Sequence, residues 1–267
     1  MTRTIEMNKI IEERHKLCKT LYLIKKETDK INKEKRKQGA DWKNLTYMNI
    51  LGKPCHLKIL FGPFMKTPLY TEIAILRGHT AHVSCLTLHE NKLYSASWNK
   101  TIRIWDTETH EEIATLEGHT SYVCCITIRE NKIYSGSVDR TIRIWNTETR
   151  EEIAILSGHT DSVWCLALRK NKLYSGSMDG TIRIWNTETH EKIVTLEGHT
   201  RSVTCLTIRE NKLYSGSDDE TIRIWNTETH EEIATLRGHT NWVICLTLHE
   251  NKLYSGSEDN TIRVWNV

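Results

Sequence analysis

A 40-residue period runs through most of this chain without the gain or loss of a residue. The tripeptide Gly-His-Thr occurs five times at this interval, beginning at Gly78, Gly118, Gly158, Gly198 and Gly238. A tryptophan keeps the same interval, at Trp105, Trp145, Trp185, Trp225 and Trp265. A unit this small cannot bury its own apolar faces, so the period predicts stacked units that share a continuous core. Arrays of this kind usually present a surface for binding rather than enclose a reaction.

Each copy is predicted to contain four short antiparallel strands. In the second copy they fall at 123–128, 132–137, 141–145 and 152–156. Alternation and β-branched residues in the third segment are typical of a strand. The turn at Glu130-Asn131 is expected to use a positive φ at the asparagine, and Asp179-Gly180 in the third copy is a strong hairpin signal. Four strands per copy are typical of a propeller blade, whereas no segment of the repeat has the 3.6-residue period of a helical solenoid.

The repeated Gly-His and Trp-Asp/Asn pairs resemble those of the WD40-repeat family over about residues 69–267. The resemblance implies an all-β propeller with five recognisable blades. One departure is visible, because only Trp105-Asp106 keeps the aspartate of the family pattern. Asparagine, which replaces it at 146, 186, 226 and 266, keeps an acceptor and tolerates turns, so the same fold is expected.

The resemblance also implies a buried structural network in each blade, formed by the Gly-His histidine, a serine of the second strand, a turn aspartate and the tryptophan. In the second copy the serine is either Ser135 or Ser137. Asn99 replaces the aspartate in the first copy, so that network is expected to be weaker. The other residues assigned to the network are His79, His119, Asp139, Trp145, His159, Asp179, Trp185, His199, Asp219, Trp225, His239, Asp259 and Trp265.

The repeats divide the chain into a basic helical extension at 1–40, a linker or degenerate blade at 41–68, and the propeller at 69–267. The propeller begins with a strand of the fourth type at 73–76 and ends after a strand of the third type at 261–265. The first strand can therefore complete the last blade, which predicts a closed ring of five blades without exposed sheet edges. Two alternatives stay open: a sixth blade from 41–68, and a ring completed by a second chain.

Residues 1–37 are predicted to form a helix, since Ile10, Leu17, Ile24 and Ile31 recur every seven residues among charged residues. A packed amphipathic helix and a dimer seam are both compatible with this pattern. Residues 1–40 contain twelve Lys/Arg and six Asp/Glu, whereas the rest of the chain is slightly acidic. The extension could therefore hold a second partner or a second copy of the chain, and nucleic-acid binding is disfavoured.

The residue types of catalysis and metal binding are present, but they recur in every blade. A Ser-His-Asp set that repeats five times favours a structural role over a single active site, so we expect no enzyme activity. Two potential metal ligands per blade, such as His79 and Cys85, are too spread out for zinc, and neither a metal nor another cofactor is expected. The row of third-strand arginines, Arg143 among them, is expected to pair with fourth-strand glutamates such as Glu152.

The cysteines and the lengths of the apolar segments indicate the cellular compartment. Five of the eight cysteines share one repeat position, from Cys85 to Cys245, where neighbouring copies lie too far apart for disulfides. Free thiols fit a reducing compartment. No apolar run approaches the roughly 18 residues of a membrane span, and the N-terminal residues lack the apolar core of a signal peptide. We therefore expect a cytoplasmic protein, with the nucleus as an alternative and no membrane partner.

Three positions per copy differ in chemical character while the rest of the repeat is nearly constant. In the family, these positions converge on one face and bind partners, and three tryptophans among them are hard to explain by drift at a solvated surface. The chain is therefore predicted to be a non-catalytic module that binds a peptide or protein segment on one propeller face. The alternatives are a substrate receptor of a ubiquitin ligase and an oligomeric scaffold without a dedicated ligand. The assigned partner-binding residues are His82, Ser84, Trp98, Tyr122, Cys124, Val138, Ser162, Trp164, Met178, Ser202, Thr204, Asp218, Trp242, Ile244 and Glu258.

Overall fold

The computed structural model describes residues 47–48, 54–55 and 72–267, and repeated antiparallel hairpins form most of this part of the chain. The chain divides into two units, Met1–Ile73 and Ala74–Val267. In the first unit, β1 (Tyr47–Met48) pairs antiparallel with β2 (Pro54–Cys55). The predicted helix at 1–37 lies outside the described residues, as does most of the segment 41–68.

The second unit contains five sheets, which we call blades 1 to 5 in chain order. Their strands are antiparallel and follow one another in sequence, as the repeat predicts. Blade 1 contains β3 (Val83–His89), β4 (Lys92–Ser97), β5 (Ile102–Asp106) and β6 (Glu112–Leu116). Blade 2 contains β7 (Val123–Arg129), β8 (Lys132–Ser137), β9 (Ile142–Asn146) and β10 (Glu152–Leu156).

The remaining blades repeat this order. Blade 3 contains β11 (Val163–Arg169), β12 (Lys172–Ser177), β13 (Ile182–Asn186) and β14 (Lys192–Leu196). Blade 4 contains β15 (Val203–Arg209), β16 (Lys212–Ser217), β17 (Thr221–Asn226) and β18 (Glu232–Arg237). Blade 5 contains only β19 (Val243–His249), β20 (Lys252–Ser257) and β21 (Ile262–Asn266).

The apolar core lies between consecutive blades. Each blade has two faces. The trailing face contains the tyrosine of the second strand and the isoleucines of the third strand. The leading face contains the apolar residues of the first strand and the leucine or isoleucine of the second strand. Tyr174 and Ile182 on the trailing face of blade 3 pack with Val203, Leu213 and Trp225 of blade 4. Equivalent clusters join blades 1 and 2, 2 and 3, and 4 and 5, so one junction is used four times.

The predicted closure of the ring by residues 73–76 is wrong for this structure. No described residue adds a fourth strand to blade 5, and residues 72–79 form no strand. Ile262 and Val264 of β21 are exposed, whereas their counterparts Ile222 and Ile224 are buried. Counting strands shows which segment can complete a blade, but the rotation between blades is set by side-chain packing at the junctions, which a strand count does not include.

The first hairpin turn also differs from its prediction. The positive φ lies at Glu130 (52°) rather than at Asn131, and the equivalent residues of the other blades behave in the same way. Some types of two-residue turn need a positive φ at the first position only, and others need it at both. The preference of asparagine for positive φ was therefore not enough to locate the residue that adopts it. At the second turn, Gly180 has the positive φ (80°) that a hairpin signal implies.

Candidate functional site

A buried hydrogen-bond network ties the first loop of each blade to its strands. In blade 2, His119 Nδ1 lies 2.7 Å from Asp139 Oδ2, and His119 Nε2 lies 2.8 Å from Ser135 Oγ. The indole N–H of Trp145 donates to the same hydroxyl at 2.9 Å. Ser135 is therefore the serine of the network, while Ser137 accepts a hydrogen bond from the Asp139 main chain. The corresponding serines in blades 1 and 3 to 5 are Ser95, Ser175, Ser215 and Ser255.

The network of blade 1 is weaker, as expected. His79 Nδ1 lies 3.2 Å from Asn99 Oδ1, compared with 2.7 to 2.8 Å for the aspartates of the other blades. In blade 2, the main-chain N–H of Thr120 also donates to the aspartate, but within the described residues of blade 1 Thr80 makes no such bond to Asn99. Burial lowers the pKa of His79, and the Arg103 cation lowers it further.

The electrostatics of the network indicate a structural role. Burial would raise the pKa of the Asp139 carboxyl, but hydrogen bonds from His119 and Thr141 outweigh burial and hold that pKa well below its usual range. The Ser135 hydroxyl is fully buried and already accepts the Trp145 indole N–H. A serine enclosed in this way is not placed to attack a substrate.

The glycine of each Gly-His pair makes room for an arginine. A Cβ added to Gly118 would lie 2.9 Å from Arg143 Nη1, closer than side-chain contacts allow. Arg143 also forms an ion pair with Glu152 on the outer strand, and blade 3 departs by having Lys192 at the position of this glutamate. The predicted arginine–glutamate pairing is confirmed in three blades, by Arg103–Glu112, Arg143–Glu152 and Arg223–Glu232.

The fifteen positions that vary between copies, which we call the variable rim, lie at one end of the five inner hairpins. The main-chain N–H of Trp98 donates to the carbonyl of His82 at 2.9 Å, which makes the two residues neighbours across the hairpin. The same bond joins Val138 to Tyr122, Met178 to Ser162, Asp218 to Ser202 and Glu258 to Trp242. Because the first strands of successive blades lie side by side, all five hairpin ends reach the same face.

Large apolar side chains dominate the exposed part of this face. The rings of Trp98 and Tyr122, from blades 1 and 2, stack with centroids 5.1 Å apart and planes 8° from parallel. The centroid of the His82 ring lies 4.7 Å from that of the Trp98 ring, with the two planes tilted by 44°. Six apolar residues of the variable rim are 40 to 49% exposed, namely Trp98, Tyr122, Trp164, Met178, Trp242 and Ile244. Exposed aromatic clusters of this kind are typical of binding sites.

Four residues of the variable rim are buried or bonded within the protein. Cys124 and Ser162 are buried. Ser84 Oγ donates to the carbonyl of Val123 in the next blade at 2.5 Å, and the Thr204 hydroxyl donates to the next blade in the same way. The assignment of these four residues to partner binding stays a prediction, with two of the side chains buried and the other two bonded to the main chain of the next blade.

Blades 4 and 5 bring acidic groups to the variable rim. Asp218 is half-buried, and its Oδ1 is buried without a hydrogen bond from any described residue. An unpaired buried oxygen costs free energy. Glu258 on blade 5 is exposed.

One position of this face was missed by the sequence analysis. Asn241 Oδ1 accepts the main-chain N–H of Trp242 at 2.9 Å and so orients the loop that carries this tryptophan. The corresponding residues in blades 1 to 4 are Ala81, Ser121, Asp161 and Arg201. Their chemical differences are the same signal that identified the variable rim, and a comparison extended by one residue would have found them.

Thiols and clustered ligands give no sign of a reactive centre in the described residues. Burial raises the pKa of Cys124 to about 11 and that of Cys205 to about 12, so both thiols are protonated at neutral pH. No group of three or more His, Cys, Asp or Glu side chains in this part of the chain could hold a metal ion. Nor do these residues form a helix that is long and apolar enough to cross a membrane.

A cleft of about 390 Å³ lies between blades 3 and 4, at the opposite end of the hairpins from the variable rim. Its lining includes Arg169, Lys172, Tyr174 and Thr227. A smaller cavity of about 50 Å³ has the equivalent residues between blades 4 and 5. The cleft is therefore a recurring product of the repeat and does not single out one site.

Comparison with known proteins agrees with this architecture. The model of the WD40-like domain matches residues 121–266, and the model of the WD domain, G-beta repeat, matches residues 70–106. The chain belongs to the WD40-repeat family. No curated protein matches it.

Solved structures share the fold. The computationally designed Ika8 protein is 32% identical with a TM-score of 0.67, over 71% of this chain and 60% of that one. The RRP9 WD40 repeats are 26% identical with a TM-score of 0.68, over 72% of this chain and 62% of that one. U3-55K is also 26% identical with a TM-score of 0.68, over 72% and 63%. The chain thus spans about 60% of the length of these structures.

Proposed function

We propose that this chain is a non-catalytic interaction module that captures a peptide or protein segment on the variable rim. WD40 repeats generally mediate protein–protein interaction or scaffolding, which supports the class of function. The observation that carries the proposal is the set of six half-exposed apolar side chains at the positions where near-identical copies differ. A framework held by packing repeats itself, whereas residues that read a ligand are free to differ between blades.

The ligand is expected to combine apolar and basic side chains. Trp98 and Tyr122 form a flat aromatic surface on blades 1 and 2, and Trp164 adds another anchor on blade 3. On blades 4 and 5, the acidic side chains of the half-buried Asp218 and the exposed Glu258 favour a lysine or arginine. A segment that crosses the face would therefore combine apolar residues with a cation that lies near blades 4 and 5.

Two further parts of the proposal rest on the sequence and the thiols. The basic extension at 1–40 is proposed to hold a second partner or a second copy. A cytoplasmic location, with the nucleus as the alternative, is proposed because the described cysteines are free thiols, which a reducing compartment preserves. No described feature favours the ubiquitin-ligase alternative.

The test compares two triple variants with matched exposure. Trp98, Trp164 and Trp242 are changed together to alanine, and the control changes Ile153, Ile193 and Ile233 on the outer strands, which are exposed to a similar degree. Peptides are first selected from a random library on the wild-type chain, and their affinities are then measured for all three proteins. We expect the tryptophan variant to bind at least about 30-fold more weakly, or about 2 kcal/mol, because a buried aromatic anchor is worth this much.

The control variant should bind like the wild type, and selected peptides should be enriched in Lys or Arg next to apolar residues. Both variants should keep the β-type circular dichroism spectrum, since exposed substitutions cost little stability. Equal peptide affinity for the tryptophan variant and the wild type would contradict the proposal and favour a scaffold without a dedicated ligand.

A further inference from the structure

The leading face of blade 1 is uncovered. Val83, Leu86 and Leu88 are 43%, 60% and 68% exposed, although they occupy the positions that the preceding blade covers elsewhere. The valine at the first of these positions is fully buried in blades 2 to 5. Three neighbouring apolar side chains on one sheet face are therefore exposed, and no described residue forms a blade in front of them.

The trailing face of blade 5 is uncovered as well. Ile262 and Val264 are 76% and 55% exposed, while Ile222 and Ile224 at the same positions of blade 4 are buried. The outer edge of β21 also has no strand paired to it among the described residues. The two ends of the unit thus expose the two halves of the junction that is used four times within the chain.

A segment with the sequence of an outer strand precedes blade 1. Residues 72–76 have the sequence Glu-Ile-Ala-Ile-Leu, identical to β10, but they form no strand in the structure. Each outer strand leads directly into the Gly-His-Thr of the next blade, as β6 leads into Gly118. The sequence and position of residues 72–76 are therefore those of an outer strand for a blade that precedes blade 1.

The exposure of both end faces argues against blade 5 of the same chain in that position. If blade 5 packed on blade 1, then Ile262 and Val83 would be buried as their counterparts are at the four internal junctions, but they are 76% and 43% exposed.

We propose that a second copy of this chain covers these faces, in a head-to-tail assembly. The trailing face of blade 5 in one copy packs on the leading face of blade 1 in the next, with the residue types of the internal junctions. Residues 72–76 of the second copy pair with β21 of the first. From the register of β9 with β10, Leu76 would lie opposite Ile262 and Ala74 opposite Val264, and Glu72 would meet Arg263 as Glu152 meets Arg143.

This surface differs from the variable rim in position and in chemistry. The end faces are built from residues that repeat in every blade. A trailing face therefore fits the leading face of another copy in the way that it fits the leading face of the next blade. The contact is heterologous, and each added copy leaves one face of each kind uncovered until a ring closes. Assembly therefore needs only the surfaces that the chain already possesses.

The experiment blocks each end separately in the full chain. One variant carries Leu86→Asp and Leu88→Asp on the leading face, and the other carries Ile262→Asp and Val264→Asp on the trailing face. The control carries Ile193→Asp and Ile233→Asp, which are exposed but lie away from both ends. Mass is measured by sedimentation and light scattering, and the fold by circular dichroism.

Wild type and control are expected to have masses above one 31.1-kDa chain, and each end-blocked variant the mass of one chain. An equimolar mixture of the two blocked variants should form a species of two chains, because one keeps a free trailing face and the other a free leading face. Milder Leu88→Ser and Val264→Ser variants replace any aspartate variant that loses its β spectrum.

Three results would overturn the inference. A monomeric wild type would mean that the faces are closed within one chain or covered by residues 1–71. Oligomers that persist in both blocked variants would place self-association elsewhere. Folded blocked variants that fail to associate when mixed would show that the two faces do not recognise each other.

Discussion

A single carboxylate decides how firmly the first loop of each blade is held. Asp139 accepts hydrogen bonds from His119, from the main chains of Thr120 and Thr141 and from the Thr141 hydroxyl. Asn99 in blade 1 keeps the bonds to its threonine, has a longer contact with the histidine and makes no bond with Thr80. The repeat therefore contains its own comparison between an aspartate and an asparagine at one position.

We expect Asn99→Asp to stabilise the protein by about 1 kcal/mol at pH 7, because a charged acceptor strengthens hydrogen bonds at this position. Asp139 has a lowered pKa, and the new carboxyl should share this property. A carboxyl with a lowered pKa stabilises the fold above the pKa of an unfolded aspartate, about 3.9, and the gain is lost as the pH falls toward the folded pKa. Urea unfolding from pH 7 to pH 3 should show both effects.

The reciprocal Asp139→Asn variant is the control, and it should lose a similar free energy at pH 7. Lower stability of Asn99→Asp at neutral pH would mean that residue 99 is not a member of the network.

The ion pair between the third strand and the outer strand is present in some blades and replaced in one. In blades 1, 2 and 4 the third-strand arginine pairs with a glutamate of the outer strand. In blade 3, Lys192 stands where Arg183 would meet that glutamate, and the pair is replaced by two like charges. Arg143, at the position of Arg183, has a side chain only 15% exposed, so the pairing is partly shielded from solvent.

We predict that Lys192→Glu stabilises the chain by about 0.5–1 kcal/mol, the upper part of the range for partly exposed pairs. The reverse change in blade 2, Glu152→Lys, should destabilise by a similar amount. Thermal unfolding at low and high ionic strength measures both, and the differences should shrink in 1 M salt. An unchanged melting temperature in both variants at low salt would show that the pairs do not contribute to stability.

The sequence predicted most of these elements, because a strand pattern, glycine or tryptophan that recurs five times at a fixed interval can be assigned to the same position in every blade. The network was predicted down to a choice between Ser135 and Ser137, which only the distances could resolve. The closure of the ring could not be predicted, since it depends on the angle between packed sheets. Burial of Cys124 and Ser162 was missed because a position that varies between copies can vary for reasons of packing as well as of binding.

At the scale of the molecule, the core of the second unit is a series of four separate clusters rather than one centre. Each cluster joins residues of two adjacent blades, and no cluster joins blades further apart. The stability of such a stack is approximately a sum over blades and junctions. Damage at one junction is therefore felt mainly by the two blades that form it.

Substitutions at distant junctions should consequently be additive. Leu173→Ala between blades 2 and 3 and Leu253→Ala between blades 4 and 5 each remove a fully buried leucine, at an expected cost of about 2–5 kcal/mol. Their double variant should match the sum within about 0.5 kcal/mol. Unfolding is measured at one protein concentration, because assembly would shift apparent stability.

Val203→Ala with Leu213→Ala is the matched pair within one cluster, and its effects should not simply add. Strong coupling between Leu173 and Leu253 would indicate that the blades behave as one cooperative core.

Four interchangeable junctions have a consequence for how a gene of this kind can change. Removing the 40 residues from 121 to 160 would join β6 to β11 through the same Gly-His-Thr loop, and the faces brought together would have the residues of an existing junction. Unequal recombination between near-identical copies makes such changes in whole units, and a duplication works in the same way. Recombination can therefore change the number of blades easily, whereas every resulting protein keeps the geometry of the contact between blades.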